Sequence, residues 1–83
     1  MSLDRIRLAR KRTVGTNQTM KALMQMVAKQ LYIARDADER VVTPVLALAR
    51  EKGVPVLWVE TMKQLGKACG IEVGAAAAAI IEE

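Results

Sequence analysis

Apolar positions recur along the chain at helical and at strand spacings, and the two alternate. Leu3, Ile6 and Ala9 stand three apart and predict a first helix, capped by Ser2, with Asp4 in its first turn and an end near Thr13. The β-branched "RTVG" that follows predicts a short strand around Arg12–Val14 and then a turn. Met20, Leu23, Met24 and Val27 fall at i, i+3, i+4 and i+7, the inner stripe of a second helix that starts at Thr16 or Asn17. "QLYIA" reads as a buried strand with "RDADE" as its polar exit. Asp38 is a natural N-cap for a third helix from about residue 40 to Lys52, with Val41, Val45, Leu48 and Ala49 turned inward and Gly53 as its stop. Pro44 fits only the first turn of such a helix.

"VPVLWV" predicts the next strand, with Pro55 near its start or at a sheet margin. Thr61 and Gln64 have the spacing of a capping box and open a fourth helix, which carries Leu65, Ala68 and Cys69 inward and stops at Gly70. "IEVG" is a loop. "AAAAAII" is read as a buried strand: its run is short, it ends in β-branched residues, and the last helix needs a strand to follow it. Small alanines on both faces of that strand let helices approach the sheet closely. The order α-β-α-β-α-β-α-β predicts an α/β fold, with helices on both faces of a sheet of three or four strands. No internal repeat or linker interrupts it.

Composition narrows the chemistry. The 83 residues allow one domain with a small core, built from aliphatic side chains and methionine, because Phe is absent and Trp and Tyr occur once each. No apolar run approaches the ~20 residues that span a bilayer, and no apolar signal core follows the N-terminal charges, so a cytoplasmic protein is expected. There is no His and a single Cys, Cys69. This excludes disulfide scaffolds, His-containing zinc sites and the usual nucleophile–base catalysts, and Cys69 is read as a small buried apolar residue. No cofactor, no metal and no enzymatic activity are expected. The net charge is +4, with Arg5, Arg7, Arg10, Lys11 and Arg12 opposed only by Asp4 in the early chain. Such a stretch is either a solvated helix face or a surface for RNA or DNA.

Among motifs, "LGKACG" lacks the spacing of a phosphate loop and "GIEVG" is not a dinucleotide fingerprint. Asp36, Asp38 and Glu39 have no base or nucleophile beside them and are read as capping and solubilising groups. "GTNQTMK", residues 15–21, is more telling. A helix N-terminus offers unpaired N–H groups and a positive dipole end, which attract phosphate. Asn17 and Gln18 each carry a donor and an acceptor in one planar amide, suited to base edges. Lys21 adds charge on the same side, where Asn17, Lys21 and Gln25 share a face. Gly15 permits close backbone approach or a positive φ. Capping accounts for one of these residues, not for the set.

"GTNQTMKAL", "LYIARDAD" and "ETMKQLGKACGIEVGAAAAAII", in that order and at that spacing, resemble the ribosomal protein L-seven-Ae / L-thirty-e family, in particular its short bacterial members. The likeness runs from about Leu3 to Ile81. It implies a three-layer α/β/α sandwich around a four-stranded mixed sheet, and a non-enzymatic RNA-binding protein that recognises kink-turns, sharply bent helices with a short bulge beside tandem G·A pairs. On that resemblance Gly15, Thr16, Asn17, Gln18 and Lys21 enter the groove at the G·A pairs. Ile71, Glu72 and Val73 lie over the bulged nucleotides. Asp38 and Val42 surround a flipped-out base, and Met62 lies near the RNA. The implied partners are structured RNA and the ribosome, with the chain a monomer. The sequence departs from archaeal and eukaryotic members at Gln18, where they typically have Glu, and at Met62, often Lys. It also departs at Met26, where a helix-ending Gly is common and a different helix exit is expected, and at Val73, basic in some members.

Overall fold

The computed structural model describes residues 3–83. The predicted alternation is present: α1 (Asp4–Leu8), β1 (Lys11–Val14), α2 (Thr16–Met24), β2 (Gln30–Ala34), α3 (Glu39–Lys52), β3 (Val56–Val59), α4 (Met62–Ala68) and β4 (Ala77–Glu82). The strands form one mixed sheet in the order β1-β4-β2-β3. β4 runs antiparallel to β1 and to β2, while β2 and β3 are parallel and joined through α3.

Side-chain alternation along the strands makes three layers. Tyr32, Ala34, Ala78 and Ile80 point to one face and pack with Ile6 of α1 and Leu65, Ala68 and Cys69 at α4. Leu31, Ile33 and Ala77 point to the other and pack with Leu23 of α2 and Val42, Val45 and Ala49 of α3. Residues 77–80 of β4 are fully buried. Three of them are alanines, so helices on both sides can close on the sheet without steric conflict. The α/β/α sandwich that the resemblance implied is the observed fold.

Local chemistry sets the helix ends. Asp38 Oδ1 accepts from Arg40 N at 2.9 Å and Thr61 Oγ1 from Gln64 N at 3.0 Å, as their N-cap positions predicted. At the C-terminal end of α3 the Gly53 and Val54 N–H groups return to Arg50 O and Ala49 O, a Schellman closure. Gly70 and Ile71 close α4 in the same way on Lys67 O and Gly66 O. Met26 and Val27 close α2 on Leu23 O and Ala22 O, so its exit has the same geometry rather than the different one expected. Met26 adopts φ 59° to do so, in the left-handed region that Gly occupies without cost.

Several expectations shift. The Ser2 cap lies outside the described residues. α1 ends at Leu8, not near Thr13, because Ala9 turns extended and the next residues are drawn into pairing with β4. In α2 the buried residues are Thr19, Ala22 and Leu23, whereas Met24 and Val27 are 65% and 40% exposed. The helix stops at Met24, and packing against β1, β4 and α3 selects the neighbouring stripe. In α3, Val42 is buried and Val41 is exposed, with Leu48 partly covered. Pro44 stands in the second turn of α3, not the first, on the solvent side. There its ring clears the sheet and water can satisfy the carbonyl it leaves unbonded. Cys69 is buried as expected, and burial pushes its thiol pKa upward, away from a reactive thiolate.

Met26→Gly relieves the left-handed conformation of a residue whose side chain is 70% exposed. It is expected to raise stability by about 1 kcal/mol. A urea-denaturation midpoint that stays level or falls would overturn this account of the α2 exit.

Candidate nucleic-acid interface

Sheet topology brings the start of three helices to one end of the molecule. β1, β2 and β3 all finish at this end, and α2, α3 and α4 begin immediately after them. β4 starts here, so the loop from Gly70 to Ala76 lies here too. Backbone hydrogen bonds tie the segments together: Gly15 N to Ala77 O at 2.8 Å, Ala34 N to Ala76 O at 2.9 Å and Ala75 N to Met62 O at 3.0 Å. Helix N-termini carry partial positive charge, and their convergence favours an anionic partner at this end.

Gly15 opens α2 with φ 92°, a backbone conformation that side chains resist. Below it a buried hydroxyl relay fixes the first turn. Thr19 Oγ1 and Thr13 Oγ1 share a hydrogen bond of 2.8 Å, and Thr13 Oγ1 also accepts from Ala79 N at 3.0 Å. With Thr19 held inward, Asn17, Gln18 and Lys21 are exposed and Thr16 half-buried on the outer side. Gln18 Oε1 accepts from Val14 N at 3.3 Å. Gln18, Lys21 and Gln25 line a groove of about 300 Å3 beside β1.

The second half of the surface comes from α4 and its flanking loops. Asp36 Oδ1 accepts from Met62 N at 2.8 Å, a cap supplied from the β2–α3 connection, which positions α4 beside the Asp38 loop. Gly66 carries the tightest packing: a Cβ there would collide with the Val73 carbonyl. The loop holding Ile71, Glu72 and Val73 is therefore seated directly on α4. Val73 is 71% exposed and Glu72 is exposed, while Ile71 is half-buried against the α1/α4 core. Asp38 is occupied in capping α3. Its hydrogen bond and ion pair with Arg40, at 3.0 Å, hold its carboxyl below the usual range, so the stability this cap adds is complete above the ordinary Asp range and is lost as pH falls through the lowered value. Val42 is buried under the same loop and faces a cavity of about 340 Å3 with Trp58 and Arg35, whose guanidinium lies 5.4 Å from the indole centroid.

The early arginines lie elsewhere. Lys11 pairs with Glu82 in the sheet register, at the end opposite to Val14 and Ala78. Arg5 bonds Glu83 at 2.8 Å, Arg7 bonds Asp4 at 2.8 Å, and Arg10 and Lys11 approach Glu82 at 3.6 and 3.9 Å. Arg12 donates to Cys69 O at 3.0 Å and to carbonyls of Ile6, Arg7 and Ala9, clamping α1 to the end of α4. Lys21, Lys63 and Lys67 are exposed and make no such ion pair among the described residues. The predicted set thus assembles at one end, and of the basic N-terminal stretch only Arg12 borders it, lining the groove with Gln18 and Lys21. Thr13, Thr19 and Gly66 were not anticipated; Asp36 was read as a capping group, but not as the cap of α4. A hydroxyl in the inward stripe of α2 was the available sign for Thr19; Asp36 and Gly66 act through contacts distant in sequence and leave none.

The family model of the Ribosomal protein L7Ae/L30e/S12e/Gadd45 family matches residues 2–83. An RNA-binding protein of Bacillus pumilus is 52% identical over 81 residues, covering 98% of this chain and 99% of the relative. The large ribosomal subunit protein eL8 of Halobacterium salinarum is 46% identical over 68 residues, 81% of this chain and 57% of that protein. Among solved structures, the Giardia lamblia 15.5kD RNA binding protein superposes with a TM-score of 0.87 at 26% identity, over 98% of this chain and 71% of the other. The chain belongs to the L7Ae/L30e/S12e/Gadd45 family.

Gly66→Ala is expected to cost about 1–3 kcal/mol in thermal or urea unfolding, because the Val73 segment must shift away from α4. Wild-type stability in that variant would mean that the loop is not seated as described.

Proposed function

We propose that this protein is a non-enzymatic RNA-binding domain, residues 1–83, that recognises a kink-turn and stabilises its bent form. The observation that carries the reading is the meeting, at one end of the sheet, of the exposed Asn17–Gln18–Lys21 face of α2 with the loop at Ile71–Val73. The two surfaces suit different parts of a bent RNA. Amides and helix N–H groups address the purine edges of the G·A pairs, with Gly15 and Thr16 leading the backbone into the groove. The exposed apolar Val73, beside Ile71 and Glu72, supports bulged nucleotides, and Asp38, Val42 and Met62 border an extruded base. Lysines hold phosphates. Relatives called RNA-binding proteins and the similarity to the 15.5kD RNA binding protein support RNA as the partner. The protein binds the kinked form better than the extended one and shifts the RNA population toward it. It acts as a cytoplasmic monomer.

A second reading follows from the match to a large-subunit protein: a structural ribosomal component whose RNA contacts are independent of shape. Salt and shape dependence separate the two. Calorimetry with a kink-turn and with a straight duplex of similar length is expected to show a clear preference for the former. Equal affinities with a steep salt slope would favour the structural reading. Asn17→Ala is expected to weaken kink-turn binding by about 1–3 kcal/mol, whereas Arg10→Ala, at the far end of the sheet and already opposed by Glu82, leaves it near wild type. Normal binding by Asn17→Ala would remove α2 from the interface.

A further inference from the structure

The sheet has two edges, and the chain treats them differently. β1 is guarded: it carries Lys11 and Arg12, and its register with β4 slips between those two residues. Charges and bulges of this kind keep an edge from pairing with another chain. Its Val14 N–H, which an added strand would need, already donates to Gln18 Oε1 at 3.3 Å. β3, at the other edge, has no such guard within its span. It reads VLWV, and Val56, Leu57 and Trp58 are only half-buried. The Pro55 and Val59 carbonyls accept from Leu31 N and Arg35 N, so positions 55, 57 and 59 face β2. By alternation, the N–H and C=O groups of Val56 and Trp58 point away from the sheet.

A cavity of about 340 Å3 opens beside these groups, between β3 and α3. Trp58, Val42 and Leu46 form its apolar part, and Arg35, Glu39 and Thr43 its polar part. Trp58 packs on the α3 side of the sheet. Residues side by side on paired strands point to the same face, so a residue laid beside Trp58 sends its side chain to this cavity. The charge around it is acidic. The β2–α3 connection and the end of β3 carry Asp36, Asp38, Glu39 and Glu60 against Arg35 and Arg40, and both arginines are already in ion pairs. That surplus opposes a phosphate backbone and suits a cationic segment. We infer that the β3 edge is a docking site for an extended, basic peptide segment of a partner protein. The segment adds to the sheet through Val56 and Trp58 and places one large apolar side chain in the cavity. Main-chain bonds supply the attachment, and the cavity and the acidic surround supply the selectivity. The site lies apart from the α2 surface and does not depend on the RNA-binding reading.

The test uses the full-length protein. A displayed library of random peptides is selected against it, and the enriched peptide is synthesised and measured by calorimetry. The enriched sequences are expected to hold one large apolar residue with Lys or Arg nearby. Their binding is expected to shift the emission of Trp58, the chain's only tryptophan. N-methylation distinguishes an added strand from a side-chain contact. Methylating one alternate set of peptide amides is expected to weaken binding at least roughly tenfold, while methylating the other set changes it less than about twofold. Exchanging the peptide's basic residues for Glu is expected to weaken it at least roughly threefold. Val56→Pro removes one outward N–H at an edge where proline is tolerated, and is expected to weaken binding at least roughly fivefold with an unchanged melting curve. If this variant fails to fold, the two N-methylated peptides decide the matter on the wild type. Equal losses with both methylated sets mean that no strand is added. A library that enriches nothing, or only acidic peptides, overturns the site. If a single-stranded RNA oligonucleotide displaces the peptide from Trp58, the cavity takes a base and the peptide assignment fails. Concentration-dependent dimers abolished by Val56→Pro would give the edge to a second copy and overturn it equally.

Discussion

Hydrogen bonding of β4 to a strand on each side holds the sheet together, and the rest of the molecule is arranged around it. The strand pairs with β1 and β2, and Ala77, Ala78 and Ala79 bury small side chains on alternating faces. Those alanines let four helices approach the sheet from two sides. The same strand decides where the surface forms. Because it is antiparallel to both neighbours, it begins where β1 and β2 end. The Gly70–Ala76 loop that feeds it therefore arrives beside the N-termini of the helices. A bulkier residue in the middle of β4 would push α2 or α4 outward and loosen both halves of the interface.

Charge follows a similar logic. The arginine-rich N-terminus looks like an anion-binding segment when read as a linear stretch. In the fold it is consumed: three acidic side chains, Asp4, Glu82 and Glu83, meet Arg5, Arg7, Arg10 and Lys11, and Arg12 turns into a clamp on backbone carbonyls. Glu82 and Glu83 reach these cations through the pairing of β4 with β1, whereas Asp4 meets Arg7 within α1. Attraction for phosphate shifts to the opposite end, to lysines that stand out from the helices and to helix N-termini whose field is fixed by backbone geometry. Exposed ion pairs of this kind contribute little to stability. Their consequence here is directional: the N-terminal cations are paired at the far end, while Lys21 and Lys63 make no ion pair among the described residues and stand at the end that also holds Asp36, Asp38 and Glu72.

Support beneath the interface is built from polar groups that do not themselves reach it. The Thr13–Thr19 pair sits inside the α2 packing and keeps that helix from rotating, which in turn keeps Asn17 and Lys21 outward. Asp36 caps α4 from another connection and so couples two of the three helix starts. Gly66 removes a side chain so that the Val73 segment can lie on α4. Rigid seating of this sort lets a surface bind a partner without first being ordered by it, a saving of the entropy that mobile loops would lose.

Residue order alone was enough for the element alternation, the caps at Asp38, Thr61 and Gly53, the buried alanine strand and the cluster at residues 15–21. Each of these rests on local chemistry: spacing, backbone preference, or side chains that bond their own helix. Which stripe of α2 and α3 turns inward was not local. Val41 and Val42, or Met24 and Ala22, differ by one or two positions along the helix, and only contact with the sheet selects between them. Pro44 fell in the second turn because solvent on that side of α3 tolerates the missing donor. Pairing of the N-terminal arginines with the C-terminal carboxylates and the seat of Val73 on Gly66 were both decided in three dimensions. Each needs a partner more than a helical turn away or across the sheet, and residue order carries no distance between such groups until the chain has closed.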